Sequence, residues 1–198
     1  MNILKRPVVL IHGLWNSSDI FRSISKKLDE YEVEYFAPTL SHDFGMISIV
    51  DLTSALNEII LNRYGLDREI DIVGFSMGGI IGRYWIKKFN GYKRTNKFIS
   101  IGSPHTGTLT AQLVPRFPFK GISEMKRNSN LLRELSKDDD LLQEIKCISF
   151  YTKWDIMVFP GWKAHLPRGT KLSLEIFKHK NLIRNSLAVN KIVKEIIN

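Results

Sequence analysis

The chain has 198 residues, 43% of them hydrophobic and 25% charged, which is ordinary for a soluble globular protein and enough to bury one proper core. Its 29 Lys and Arg outweigh 20 Asp and Glu to give a net charge of +9, yet the basic residues are spread out and no nucleic-acid-binding motif accompanies them; a solvated basic surface or contact with an anionic lipid surface remains, and nucleic acid is not an expected partner. The single cysteine, Cys147, excludes an intramolecular disulfide, and no apolar run approaches the roughly 20 residues of a bilayer span.

Short apolar runs alternate with longer helical patterns. Residues 7–11 (PVVLI) read as a buried strand, too short after Lys5 and Arg6 for the core of a signal peptide, so a cytoplasmic location is the expectation. Asp19 is placed to cap a helix reaching about Leu28, and residues 33–37 read as a second strand ended by Pro38. Over residues 47–64, Ile49, Leu52, Leu56, Ile59 and Ile60 recur at helical spacing. Residues 70–73 form a third strand, 77–89 a helix and 97–102 a fourth strand. Residues 123–135 read as a helix with Ser123 as its cap, 145–151 and 171–176 as the fifth and sixth strands, and 181–197 as a closing helix. Such alternation predicts βαβ units, a mostly parallel sheet of about six strands and a three-layer α/β/α sandwich. No linker-like tract divides it, so one domain over residues 1–198 is expected. In sheets of this kind ligands bind at the carboxyl ends of the strands.

The strongest chemical signal is Gly74-Phe75-Ser76-Met77-Gly78, set between an apolar strand and a helix. A serine on a sharp strand-to-helix turn stands exposed above the sheet, and only small residues fit two positions before and after it. A phosphate-binding P-loop is excluded, because no Gly-Lys-Ser/Thr follows. His12-Gly13-Leu14-Trp15 follows the first strand. Its Leu14 N–H, together with the Met77 N–H behind the serine, could hold the negative oxygen of a tetrahedral intermediate. His12 reads as a brace for that loop. Trp15 is either core or a wall of the acyl pocket.

These pieces resemble the α/β-hydrolase superfamily, and within it the small bacterial lipases and esterases. The resemblance is carried by PVVLIHGLWNSS, DIVGFSMGGIIGRYW, FISIGSPHTGT, YTKWDIMVFP and FKHKNLIRN, in family order from residue 7 to 185. It implies a minimal form of that fold, because His12-Gly13 comes too early for the two leading strands of larger relatives. The family's histidine before the nucleophile is replaced here by Phe75, and its glycine before the base by Lys178. The implied order is serine, acid, histidine. Asp155, after the fifth strand, matches the acid position, whereas Asp138, Asp139 and Asp140 form a charged run of the kind usually solvated. Among five histidines, His12 and His42 precede the serine and His105 lies in a loop the family carries without catalytic use. His179, after the last strand, matches the base, with His165 as its rival.

The expectation is a serine carboxylic-ester hydrolase, esterase or lipase, in which Ser76 attacks, His179 moves the proton and Asp155 orients His179. Trp15, Met157 and Val158 would contact a small-molecule ester or lipid, and residues 105–144 would form a cap or rim. No metal and no organic cofactor is implied, since no His/Cys cluster stands at ligand spacing and no dinucleotide fingerprint occurs. The alternatives are an acyltransferase with the same triad and an inactive hydrolase-like binding module.

Overall fold

A computed structural model describes residues 6–137 and 139–198, the side chain of Asp139 excepted. Six strands form one parallel sheet: β1 (Val8–Ile11), β2 (Tyr35–Phe36), β3 (Ile70–Phe75), β4 (Thr95–Ile101), β5 (Lys146–Tyr151) and β6 (Thr170–Ser173). Their order is β2-β1-β3-β4-β5-β6, and every pairing is parallel. Parallel strands are covered on both faces, which explains why β1 and β3 read as nearly unbroken apolar runs.

Side chains alternate between the two faces. Val9, Ile11, Ile72 and Phe98 join one core with α2 (Ile49–Tyr64) and α3 (Met77–Lys88). Val8, Leu10, Val73 and Ile99 join the other, with α1 (Arg22–Glu30) and α7 (Ser186–Ile197). The segment expected to cap the molecule holds α4 (Leu109–Gln112), α5 (Lys120–Glu124) and α6 (Asn130–Ser136). Ile122, Met125, Leu131, Leu132 and Leu135 tie it to the α2–α3 core. Among the described residues no helix is long and apolar enough to cross a membrane.

Several element ends differ from expectation, each for a local reason. Ser17, not Asp19, caps the first helical stretch: its hydroxyl accepts from Asp19 N, and a 3-10 turn over Ser18–Phe21 leads into α1. Val33 N–H bonds back to Leu28 O, so Val33 closes the turn after α1 and β2 keeps only the two residues that face β1. The helix expected over 123–135 with Ser123 as its cap is instead the end of α5, which starts at Lys120 and holds Ser123 inside it, followed by the separate α6. Asn128 takes a left-handed φ of 58°, and Ser129 then caps α6 by accepting from Leu132 N. The closing helix starts at Ser186 because the Asn185 side chain accepts from Leu187 N and Ala188 N. The residues before it, His179–Leu182, form a separate 3-10 turn. β6 ends at Ser173 rather than Ile176, since Ile176 N–H turns back to Leu174 O.

The chain steps from β1 outward to β2 and then back across β1 to β3. This reversal opens a crevice between the carboxyl ends of β1 and β3. The loops that leave those two ends carry His12–Trp15 and Ser76.

Candidate active site

β3 ends at Phe75 and α3 begins at Met77, so Ser76 alone makes the turn, with φ 56° and ψ −124°. A non-glycine residue takes such a backbone at a cost, met here by its surroundings. Ser76 N–H donates to Ile101 O at 2.8 Å, and Ser76 O accepts from Gly79 N at 3.1 Å. A Cβ on Gly74 would collide with the backbone of Gly78 and Gly79, and one on Gly78 with the carbonyl oxygens of Ile11 and His12. The turn is thus possible only with small residues at both positions.

The loop after β1 passes directly over the serine, for a Cβ on Gly13 would lie 2.7 Å from Ser76 Cβ and 3.3 Å from Ser76 Oγ. His12 fixes that loop. Its Nδ1–H donates to Gly13 O at 2.9 Å, and its Nε2 accepts from Leu40 N at 2.8 Å. Burial holds the His12 pKa below the usual imidazole value, which keeps Nε2 free to accept. The Leu14 N–H has no acceptor among the described residues. Met77 is the first residue of α3, where a backbone N–H has no helical acceptor. Trp15 has φ 58° and is 53% exposed, which excludes the core alternative for its side chain.

Asp155 follows β5 and is 1% exposed. Its Oδ1 accepts from Met157 N and Val158 N, both at 2.9 Å, and its Oδ2 accepts from His179 Nδ1 at 2.6 Å. These hydrogen bonds to a carboxylate are charge-assisted and fix the ring tautomer that leaves Nε2 unprotonated. His179 Nε2 is buried without a partner among the described residues. The His179 ring meets two groups that sequence reasoning does not assign to it. The Phe75 ring stacks on it, and Gly102, at φ 57°, leaves the space that a Cβ would take within 3.1 Å of His179 Cε1.

The other histidines lie apart. His165 donates to Leu166 O at 2.8 Å and meets the Tyr151 ring edge-on. His105 shares a 2.7 Å bond with Ser100 Oγ, and full burial, helped by the Arg83 charge, pushes its pKa well below the usual value. His42 packs against His12, with ring centroids 6.0 Å apart. Among the rival acids, Asp138 and the Asp139 side chain lie outside the described residues, and Asp140 pairs with Arg168 on the surface.

Ser76 and His179 open into a cavity of about 520 Å³. Trp15, Met157 and Val158 line it too, so the latter two both face the cavity and hold Asp155 through their amides, a second task with no signal in the residue pattern. Leu14, Ala111, Val114, Ile122 and Met125 supply an apolar wall. The cap is fastened to the acid loop: Leu109 N–H donates to Phe159 O, Phe159 N–H to Thr108 Oγ1, and Thr110 Oγ1–H to Met157 O. Trp154, Phe159 and Trp162 are about half exposed around the acid loop. Among the described residues no group of three His, Cys, Asp or Glu side chains is placed to hold a metal ion.

The profile of the palmitoyl protein thioesterase family matches residues 7–156, which include Ser76 and Asp155 but stop short of His179. No curated protein sequence matches significantly. The fold is similar to the mature lipase BlEst2 of Bacillus licheniformis, at 17% identity and a TM-score of 0.77 over 98% of this chain and 93% of that one. It is also similar to an esterase of Exiguobacterium antarcticum, at 16% identity and 0.68 over 98% and 92%. Lipase B of Aspergillus fumigatus gives 0.80 at 15% identity, but 98% of this chain spans only 53% of that enzyme. At such identities the likeness is one of fold, that of the α/β hydrolases.

Proposed function

This chain belongs to the palmitoyl protein thioesterase family, and from that premise we propose that it is a serine hydrolase cleaving acyl esters or thioesters through an acyl-enzyme on Ser76. The observation that carries the reading is the bond from Asp155 Oδ2 to His179, whose Nε2 has no partner among the described residues, in a ring that lines the same cavity as a serine on a strained turn. Ser76 Oγ attacks the acyl carbon as its proton passes to Nε2. The Leu14 and Met77 N–H groups receive the oxyanion. The bond to the leaving oxygen or sulfur then breaks, and the imidazolium returns the proton to that atom. Water, deprotonated by the same nitrogen, releases the acid and restores Ser76.

The apolar wall suits an acyl chain, with Trp15, Met157 and Val158 as its contacts. Both oxygen esters and thioesters suit the triad, and the family favours the latter. The net charge supports attraction of the protein to anionic lipid surfaces.

Ser76→Ala tests the reading. It is expected to lower kcat by roughly five to six orders of magnitude with the fold intact, and a fluorophosphonate probe is expected to label wild type and not the variant. A folded Ser76→Ala protein that keeps a tenth of the wild-type rate would place the nucleophile elsewhere.

A further inference from the structure

The cavity has two chemically distinct sides. Its apolar wall comes, apart from Leu14, from the cap segment, which packs on the α2–α3 face of the sheet. Its other side comes from the turn that carries His179, anchored through Leu182 and Ile183 in the α1–α7 core. That turn contributes Lys178, Lys180 and Arg184 to the lining. No Asp or Glu lines the cavity, and among the described residues none of the three cations forms an ion pair. Three exposed residues with unneutralised positive charges therefore stand at the rim of the cavity, next to His179 in the chain.

Lys178 carries a second signal. Its backbone sits at φ 71° and ψ 134°, a conformation that glycine adopts freely and a side-chain-bearing residue adopts under strain. Glycine at this position would remove the strain, and the fold would lose nothing that Lys178 holds, since its side chain makes no hydrogen bond or ion pair among the described residues. A strained residue with an unpaired charge at a cavity mouth points to a ligand contact.

The direction of the reaction says which part of the substrate meets these charges. The leaving atom must come within reach of His179 Nε2 to take its proton, so the leaving group lies on the His179 side and the acyl chain opposite. Building on the proposed function, we infer that the preferred substrates are acyl esters or thioesters whose leaving group bears an anion, such as a phosphate, a few bonds from the scissile bond, held by Lys178, Lys180 and Arg184. On hydrolysis the acyl–oxygen bond breaks, the phosphorylated alcohol leaves with the proton from His179, and water then adds its hydroxyl to the acyl group to release the acid and returns a proton to Ser76.

The matched pair 1-octanoylglycerol 3-phosphate and 1-octanoylglycerol tests this, because the two share one acyl bond and differ only in the phosphate. With both dissolved as monomers, the ratio of their kcat/KM values is expected to favour the phosphate ester by about tenfold, the scale of one anion meeting three partly exposed cations. Lys178→Gly, Lys180→Gln and Arg184→Gln together are expected to bring the ratio near one, and raising ionic strength from about 0.05 M to about 0.5 M to lower it in wild type. Any change these variants cause in His179 itself acts on both substrates and cancels in the ratio. A wild-type ratio near one, or a ratio the triple variant leaves unchanged, overturns the inference while the hydrolase reading stands. If 1-octanoylglycerol in phosphatidylglycerol vesicles gains as much over phosphatidylcholine vesicles as the phosphate ester gains in solution, the cations serve a membrane surface and the leaving-group assignment falls. Hydrolysis of neither compound in any format, with Ser76 unlabelled, removes the proposed function and this inference with it.

Discussion

The Phe75 ring lies against the imidazole of His179, with centroids 4.8 Å apart and planes 28° from parallel. Phe75 immediately precedes the serine, so the strand end that leads into the strained turn also supports the plane of the imidazole. Phe75→Leu keeps an apolar side chain but removes this flat support. Kcat is expected to fall about three- to tenfold through misplacement of the imidazole, with KM nearly unchanged and a stability loss of about 1–2 kcal/mol. A Phe75→Leu enzyme of wild-type kcat would show that Asp155 alone orients His179.

Asp155 accepts from Met157 N, Val158 N and His179 Nδ1, whereas among the described residues the His165 ring bonds only to Leu166 O. Asp155→Asn retains the shape and loses the charge that selects the tautomer, so kcat is expected to drop by about four orders of magnitude. His165→Ala is expected to stay within a few-fold of wild type. Activity assays on the two purified variants check this, and the opposite ranking would hand the role of base to His165.

Stability is expected to decline as pH falls below about 6.5. Burial lowers the pKa of both His12 and His105 in the folded state. In this window the unfolded chain takes up protons that the folded chain refuses, and each imidazole removes up to about 1.4 kcal/mol per pH unit until its folded pKa is reached. Asp71 and Glu124, whose carboxyls burial raises, act in the opposite sense at lower pH and flatten the decline. Thermal midpoints between about pH 7 and pH 5 measure it. His105→Asn is expected to reduce the slope, and a Tm constant across this range would contradict the account.

The cap is tied to the acid loop by Leu109, Phe159, Thr108 and Thr110, and its α4 and α5 are short. Rates on dissolved short-chain esters are therefore expected to rise without a jump at the substrate's solubility limit, while anionic vesicles bind the protein better than neutral ones until salt screens the charge. A steep onset of activity only above that limit would identify a moving lid.

The parallel sheet was legible in the alternation of short apolar runs with amphipathic stretches, and Ser76 in the two glycines around it, because both signals are local. The order that the resemblance implies, together with the strand ends, pointed to Asp155 and His179, which the structure brings to 2.6 Å. The break between α5 and α6 was missed because the apolar pattern continues through it, although Asn128-Ser129 carried the turn and cap chemistry. The Phe75–His179 stack and the space at Gly102 had no signal in the chain, since they join residues far apart in sequence, from the ends of β3 and β4 and from the turn after β6.

The sheet also has two unequal borders. On one side β2 presents only two residues, and on the other β6 presents four, including the exposed Lys171. Neither offers a long, flat, uncharged row of free amide and carbonyl groups onto which a strand of another molecule could zip. Crowding in concentrated solution would instead act on the cap segment, where Leu113 and Phe117 are 87% and 84% exposed. Aggregates formed there would leave the sheet folded and disperse with mild detergent.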